Sequence, residues 1–268
     1  MLFKDTKCSN CGAYHDPTLR KCPECHKNNE LFELNRLSKR VLFLHPIAEA
    51  ALFLIGFAYI GMLIGEVFFS IFVGALPSDN ELFKKTLLLV LVYFTMFVGL
   101  CSVPLFTRRD EFFGKYKNGI DYLYGLAYAI TIICVGTVIS ALVSFAYSPQ
   151  DNVNQTMAVS IAKGYPLLAF FVLCFLGPVC EEFTYRVGLY SLLRRINKYL
   201  AFAVTTIIFA LIHFEFGAED MVNELWSLPS YLVCGFLLTL AYEHRGPACS
   251  MTAHIIYNIF AYIVILGQ

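Results

Sequence analysis

Long apolar segments fill almost the whole chain after Pro46, and this feature constrains the fold more than any other. A helix of about 20 apolar residues crosses a hydrocarbon core about 30 Å thick. Seven segments of roughly this length occur, centred near residues 60, 96, 134, 174, 206, 235 and 257. The chain is 58% apolar and only 15% charged, a composition far from that of soluble domains. The sequence therefore predicts an all-α polytopic membrane protein with about seven transmembrane helices.

The polar residues are concentrated at the start of the chain. Residues 1–30 form a polar module, residues 31–45 a basic connector, and residues 46–268 the transmembrane domain. The first 40 residues lack the apolar core and cleavage site of a secretory signal, so we expect the N-terminus to stay in the cytosol. The net charge is zero, and nucleic acid is not expected as a partner.

The loops between the apolar segments alternate in charge. Arg108 and Arg109 follow the second segment, and Arg194 and Lys198 follow the fourth. The loops after the third and fifth segments contain no Lys or Arg. Because positive loops remain on the cytoplasmic side, the sequence predicts a multi-pass protein of the cell membrane with its N-terminus inside and its C-terminus outside.

Four cysteines of the polar module form two CxxC pairs. Cys8, Cys11, Cys22 and Cys25 can present four thiolates tetrahedrally to one zinc ion, and the segment resembles a minimal zinc ribbon. His26 stands where such ribbons usually have glycine. A module this small has too little core to fold alone, so the zinc would be structural. The alternative is four free cytosolic thiols. By analogy of fold, the ribbon would contact a cytosolic protein partner.

Ionisable residues appear at membrane depth in the fourth segment. Glu181 and Glu182 end an apolar run, and Arg186 lies four residues after Glu182 on the same helical face. An ion pair between Glu182 and Arg186 would hold one carboxylate and leave the other free. Ionisable residues are costly in a membrane, and their presence indicates a functional site in which each has an interacting partner.

Two histidines complete the set of ionisable residues at membrane depth. His213 ends the fifth segment with Phe209 one turn before it, and His254 and Asn258 share a face of the last segment. Each alone has a structural explanation, such as a histidine at the membrane boundary or a polar pair that joins two helices.

Together these residues form three ordered motifs. The sequences EEFTYR at Glu181–Arg186, FALIH at Phe209–His213 and HIIYN at His254–Asn258 fit EExxxR, FxxxH and HxxxN. They resemble the motifs of the CPBP or Abi family, which includes CAAX prenyl proteases and bacterial proteins of bacteriocin maturation and immunity. The resemblance covers residues from about 165 to 265 and implies an intramembrane endopeptidase core there.

Peptide hydrolysis needs a polarised water, a base and donors to the oxyanion. Glu181 is the candidate base, and Arg186 stabilises Glu182. His213 would orient the same water or ligate a metal.

His254 and Asn258 are the candidate hydrogen-bond donors to the oxyanion. The family is described both as glutamic endopeptidases and as metalloproteases. Glu181, His213 and His254 would suffice for a catalytic zinc, and the sequence leaves that cofactor undecided.

Three functions remain open from the sequence. The first is an endopeptidase acting on a peptide or lipidated peptide that enters from the membrane lipid. The second is a non-catalytic scaffold or bacteriocin-immunity protein that uses the same pocket to bind a partner. The third is a transporter in which Glu and His form a proton or metal path.

The predicted topology contains one conflict of depth. It places Glu181 near the cytoplasmic end of the fourth segment but His213 towards the far end of the fifth. We expect either that residues 187–196 lie within or along the interface, or that the helices are tilted around a deep cavity.

Overall fold

The computed structural model describes residues 6–16, 19, 21–28, 63, 65–107, 113–148, 150–194 and 196–267. The connector at 31–45 and most of the apolar segment near residue 60 therefore lie outside the described residues. In the polar module, strand β1 (Thr6–Lys7) pairs antiparallel with β2 (Tyr14–His15).

The rest of the described chain is helical. Its helices are α1 Gly65–Gly74, α2 Glu81–Thr107, α3 Gly119–Ala146, α4 Val153–Gly164, α5 Pro166–Leu193, α6 Lys198–Leu211, α7 Met221–Arg245 and α8 Pro247–Gly267. Helix α5 contains two π-helical stretches, Phe170–Leu176 and Glu182–Tyr190. The prediction of an all-α polytopic membrane protein is confirmed.

One expectation about segment length is wrong. The segment near residue 206 forms only the 14-residue helix α6, which at about 21 Å is shorter than the bilayer core. The segment near residue 235 forms the 25-residue helix α7. Among the described residues, five helices are long and apolar enough to cross a membrane: α2, α3, α5, α7 and α8.

Short polar side chains define where helices begin. Asn118, Asn152 and Asn197 each accept a hydrogen bond from a backbone N–H in the first turn of α3, α4 and α6, and Asp220 does the same for α7. Such caps satisfy N–H groups that have no partner within the helix. The cap at Asn152 starts a helix inside a stretch that the sequence had indicated as a loop.

The length of α5 resolves the conflict of depth. Residues 187–193 continue this helix and pack inside the protein instead of lying along the interface, and Val187, Leu189 and Tyr190 are buried. Glu181 therefore lies near the middle of α5, roughly 20 Å from its Arg194 end, and His213 lies at a similar distance from the start of α6. The two side chains share one depth because α6 is short.

Two glycines allow the helices around the site to approach closely. A Cβ on Gly125 of α3 would lie 2.6 Å from the Thr252 side chain of α8. A Cβ on Gly235 of α7 would lie 2.9 Å from the Phe209 ring of α6. The second contact brings the backbone of α7 against the centre of the protein, where its carbonyls can reach buried side chains.

Candidate active site

The three motifs meet at one cavity. Its volume is about 510 Å³, and Glu181, Phe209, His213, His254 and Asn258 all line its wall. They come from α5, from the end of α6 and from α8. A cavity of this size is in the range of small-molecule and short-peptide sites.

A buried ion pair supports the cavity from behind. Arg186 Nη1 lies 3.0 Å from Glu182 Oε1, and both side chains are almost completely buried. The guanidinium also donates to the Gly235 carbonyl over 3.2 Å and lies 4.3 Å above the centre of the Phe209 ring. The ion pair expected from the four-residue spacing is present. Because Arg186 neutralises Glu182, that carboxylate can accept further hydrogen bonds without leaving an unpaired charge.

His254 connects this ion pair to the cavity. Its Nδ1 lies 2.9 Å from Glu182 Oε1 and donates to it, since an ionised carboxylate has no hydrogen to give. Its Nε2 lies on the opposite side of the ring, 3.7 Å from Glu181 Oε2. Glu182 thus fixes the ring, and the Nε2 atom faces the carboxylate that lines the cavity.

The two neighbouring glutamates have different surroundings. The side chain of Glu182 is 1% exposed, whereas that of Glu181 is 12% exposed and belongs to the cavity wall. A carboxylate in contact with the cavity can reach a bound water. Glu182 cannot, because its side chain is buried outside the cavity lining and its Oε1 is held by Arg186 and His254.

His213 is held by its own helix and by α7. Its Nδ1 donates to the Phe209 carbonyl over 2.9 Å, which leaves Nε2 to accept or to bind. Its ring stacks on Tyr231, with centroids 4.6 Å apart. The Tyr231 hydroxyl accepts hydrogen bonds from the side-chain amides of Asn152 and Asn154, each 3.2 Å long. Sequence reasoning missed these three residues, because none belongs to a motif.

A buried carboxylate outside the motifs organises the loops at this end of the cavity. Glu224 is 2% exposed and accepts from the backbone N–H groups of Val153 and Glu215 over 2.9 Å and 3.3 Å. Its neighbour Asn223 exchanges two hydrogen bonds with the backbone of Gln150. In the sequence, the only indication of Asn223 and Glu224 was that polar residues stand at the start of an apolar segment. These bonds tie the start of α4 to the start of α7.

Asn258 has a structural partner as well as a place in the cavity wall. Its Nδ2 donates to the Leu173 carbonyl over 2.7 Å. The Gly177 N–H bonds to Val172, and Pro178 has no N–H, so the π-helical stretch offers Leu173 no donor from either residue. An amide nitrogen carries two hydrogens. The second hydrogen is the one that the predicted oxyanion role requires.

The donor atoms of the intramembrane site do not fit a metal as they stand. Among the described residues, the one group of three or more potential ligands that gathers closely is Cys8, Cys11, Cys22 and Cys25. Glu181, His213 and His254 line one cavity without forming such a group.

The four cysteines do fit a metal. Their sulfur atoms all lie within 4.8 Å of one another, with Cys8–Cys25 and Cys11–Cys22 both at 3.6 Å. A tetrahedral zinc site with 2.3 Å bonds requires sulfurs about 3.8 Å apart. The Lys27 backbone N–H, together with other hydrogen bonds, lowers the pKa of the Cys25 thiol to about 6, which favours the thiolate that a metal binds.

The two CxxC turns have the same backbone geometry. The N–H of Gly12 donates to the Cys8 carbonyl over 3.0 Å, and that of His26 donates to the Cys22 carbonyl over 2.9 Å. Both residues have positive φ, 75° for Gly12 and 57° for His26. His26 thus adopts the conformation that glycine provides in the first turn. A side chain in this conformation carries a backbone penalty that glycine lacks.

We expect the purified protein to carry one zinc ion at these cysteines, and Cys8→Ser and Cys22→Ser each to lose it. His26→Gly should keep the ion, because it removes the backbone penalty. Metal analysis by mass spectrometry checks the stoichiometry. Full zinc content in either serine variant would contradict the assignment.

Comparison with known proteins agrees with the three motifs. Residues 163–260 match the sequence profile of the family described as type II CAAX prenyl endopeptidase Rce1-like. This match contains all three motifs and confirms the resemblance to CAAX prenyl proteases. No solved structure matches the chain significantly.

Three bacterial proteins are similar in sequence. The chain is 24% identical to the UPF0177 protein YvdC of Lactococcus lactis over 68% of either chain. It is 27% identical to the membrane-embedded CAAX protease MroQ of Staphylococcus aureus, over 52% of this chain and 55% of MroQ. It is 26% identical to the UPF0177 protein YxdF of Lactococcus lactis, over 50% of this chain and 66% of YxdF. The chain thus spans between about half and two thirds of these relatives.

Proposed function

We propose that this chain, whose residues 163–260 form an Rce1-like region, is an intramembrane endopeptidase that hydrolyses a peptide or lipidated peptide. One observation carries the proposal. Glu181 lines the cavity 3.7 Å from Nε2 of His254, a histidine whose other nitrogen is fixed by the buried Glu182–Arg186 pair. A free carboxylate beside an oriented imidazole is a suitable arrangement for activating water.

In the proposed reaction, a water molecule lies between Glu181 and the scissile carbonyl. Glu181 takes a proton from this water as its oxygen attacks the carbonyl carbon, and it returns the proton to the leaving amine. His213 accepts a hydrogen bond from the water through Nε2, because its Nδ1 is occupied by the Phe209 carbonyl.

The oxyanion forms on the side of α8. The second amide hydrogen of Asn258 and the Nε2 of His254, in its imidazolium form, are the proposed donors. Arg186 and Glu182 touch neither water nor substrate in this scheme. They act by holding the His254 ring, which makes them positioning residues.

Mapping of new peptide termini tests the endopeptidase proposal. Membrane vesicles that contain the wild-type protein or the Glu181→Gln variant are incubated with a mixed peptide library, and mass spectrometry records the cleavage sites. Glu219→Gln, in an exposed loop, is the matched control. Cleavage by wild type and control but not by Glu181→Gln supports the enzyme. If no variant cleaves and all complement a cellular phenotype, the protein is the scaffold that the sequence left as the alternative.

We propose that the Arg194 end of the protein faces the cytoplasm, together with the ribbon. Arg194 and Lys198 at this end both pair with Glu243 over 3.1 Å, and loops with this positive charge remain on the cytoplasmic side. A cytosolic protein that contacts the ribbon would then act at this side.

Cysteine-accessibility labelling tests the orientation. A label at Lys117 is expected to report the cytoplasm, and labels at Asn154 and at the C-terminal Gln268 the opposite side. A label at Lys198 provides the internal control, because it must agree with Lys117. A cytoplasmic signal at Gln268 would contradict the arrangement.

A further inference from the structure

His213 lies just beyond the helix that carries its motif. Helix α6 ends at Leu211, and His213 belongs to the turn that follows, where its N–H donates to the Ala210 carbonyl over 3.1 Å. Residues beyond a helix end lack the regular backbone hydrogen bonds that hold a helical residue, and such segments open most readily. A side chain that must orient a water within a fraction of an ångström therefore needs further contacts.

One contact holds the chain just after His213. The N–H of Glu215, two residues on, donates to Glu224 Oε2 over 3.3 Å. Glu224 stands in the first turn of α7, and only 2% of the residue is exposed. A single buried carboxylate thus fastens the loop after His213 to α7.

A second contact holds the His213 ring. Tyr231 stacks on this ring, and side-chain amides of Asn152 and Asn154 at the start of α4 donate to the Tyr231 hydroxyl. The orientation of the Asn152 amide is fixed, because its Oδ1 accepts from the Gln155 N–H as the cap of α4 and leaves Nδ2 for the tyrosine. The position of the His213 ring therefore depends on where α4 begins.

Glu224 also fixes the start of α4. Its Oε1 accepts from the N–H of Val153, the first residue of that helix, over 2.9 Å. This N–H has no partner within the helix, and the helix dipole favours a negative charge beside it. The two contacts of His213 therefore lead back to one carboxylate, through a different oxygen in each case.

We infer that Glu224 is a positioning residue for His213, and that it acts through the loop after His213 and through the start of α4 with Tyr231. This inference rests on the proposed endopeptidase function. Glu224 is not among the described residues of the cavity lining, so it acts on the water only through His213. Its role resembles that of Glu182 towards His254, because in both cases a buried carboxylate fixes a histidine of the cavity wall.

Two variants weaken these connections in the full-length protein in detergent. Glu224→Gln turns an amide donor towards one of the two backbone N–H groups, so that bond is lost. Tyr231→Phe keeps the stacked ring but removes the hydroxyl that binds α4. In each variant, kcat on one mapped peptide should fall roughly tenfold with KM nearly unchanged, because geometry changes and substrate binding does not. Glu219→Gln and Tyr122→Phe, both exposed and outside the cavity lining, are the matched controls.

Nuclear magnetic resonance of isotope-labelled histidine reports the ring positions without any substrate. The chain has six histidines, and the signals lost in His213→Ala and His254→Ala assign the two rings of the site. Glu224→Gln and Tyr231→Phe are expected to shift or broaden the His213 signal and to leave that of His254 unchanged. Glu182→Gln, which removes the acceptor of the His254 Nδ1 hydrogen, is expected to do the reverse.

The outcomes separate this inference from the proposed function. An unchanged His213 signal in both variants overturns the inference, and so do equal changes at His254, which would indicate a general loosening. A shifted His213 signal with the wild-type kcat overturns the role in catalysis and leaves the endopeptidase standing. If Glu224→Gln does not fold, Tyr231→Phe decides, since it leaves Glu224 in place. Absence of any Glu181-dependent cleavage overturns the proposed function, and the positioning role in catalysis is overturned with it.

Discussion

Replacing Glu181 by Gln is expected to slow peptide cleavage by at least ~100-fold, the usual effect of losing a general base. The amide keeps the shape of the side chain but cannot accept the proton of the attacking water. The fold should survive, because this side chain lines a cavity and takes no part in the buried Glu182–Arg186 pair. Steady-state rates on one mapped peptide, in detergent, measure the loss.

The matched comparison is Glu182→Gln. It removes the acceptor of the His254 Nδ1 hydrogen and leaves Arg186 buried without its counter-ion. This variant should lose stability along with activity, whereas Glu181→Gln should unfold at the wild-type temperature. If Glu181→Gln retained the wild-type rate, Glu181 could not be the base. His213 or His254 would then be the candidate base.

The sequence alone predicted which parts of this site belong together. Glu182 and Arg186 are four residues apart on one helix, so their pairing follows from helical periodicity. The separation of Glu181 from that pair also follows, since adjacent helical residues point in different directions. These relations are local, and local relations depend little on the rest of the fold.

Relations across the chain could not be predicted. The stacking of Tyr231 on His213, and the amides of Asn152 and Asn154 on the Tyr231 hydroxyl, depend on how α3, α4 and α7 converge. Such contacts are set by packing between elements far apart in sequence. Hydropathy reports no difference between a tyrosine in this position and one facing lipid.

The depth of the catalytic side chains in the membrane also could not be predicted from the sequence. Apolar length fixes which segments reach the membrane, but not where each helix ends inside the protein. Helix α5 extends to Leu193 because its last turns, including Tyr190, are buried against other helices. A window of hydropathy ends earlier, at the charged Glu181 and Glu182. The depth conflict arose from that difference.

Arg186 and Glu182 form the buried ion pair next to the cavity. Arg186→Ala should destabilise the protein by roughly 3 to 5 kcal/mol, the usual effect of breaking a buried pair, because Glu182 would remain as an uncompensated buried charge. The loss also removes the contact with the Phe209 ring and the bond to Gly235. Thermal unfolding in detergent measures the change. Lys84→Ala is the control, since the Lys84–Glu81 pair is 3.9 Å long with its Glu81 side chain exposed, and it should contribute less than about 1 kcal/mol.

A double variant separates the fold from the chemistry. Glu182→Leu combined with Arg186→Met replaces the buried charges by apolar groups of similar size, which often restores stability. Its unfolding temperature should return towards that of the wild type. Its activity should stay low, because His254 no longer has the carboxylate that fixes its ring. A double variant that is both stable and active would show that the ion pair is needed neither for stability nor for orienting His254. A single Arg186→Ala that is as stable as Lys84→Ala would show that Glu182 does not need its partner.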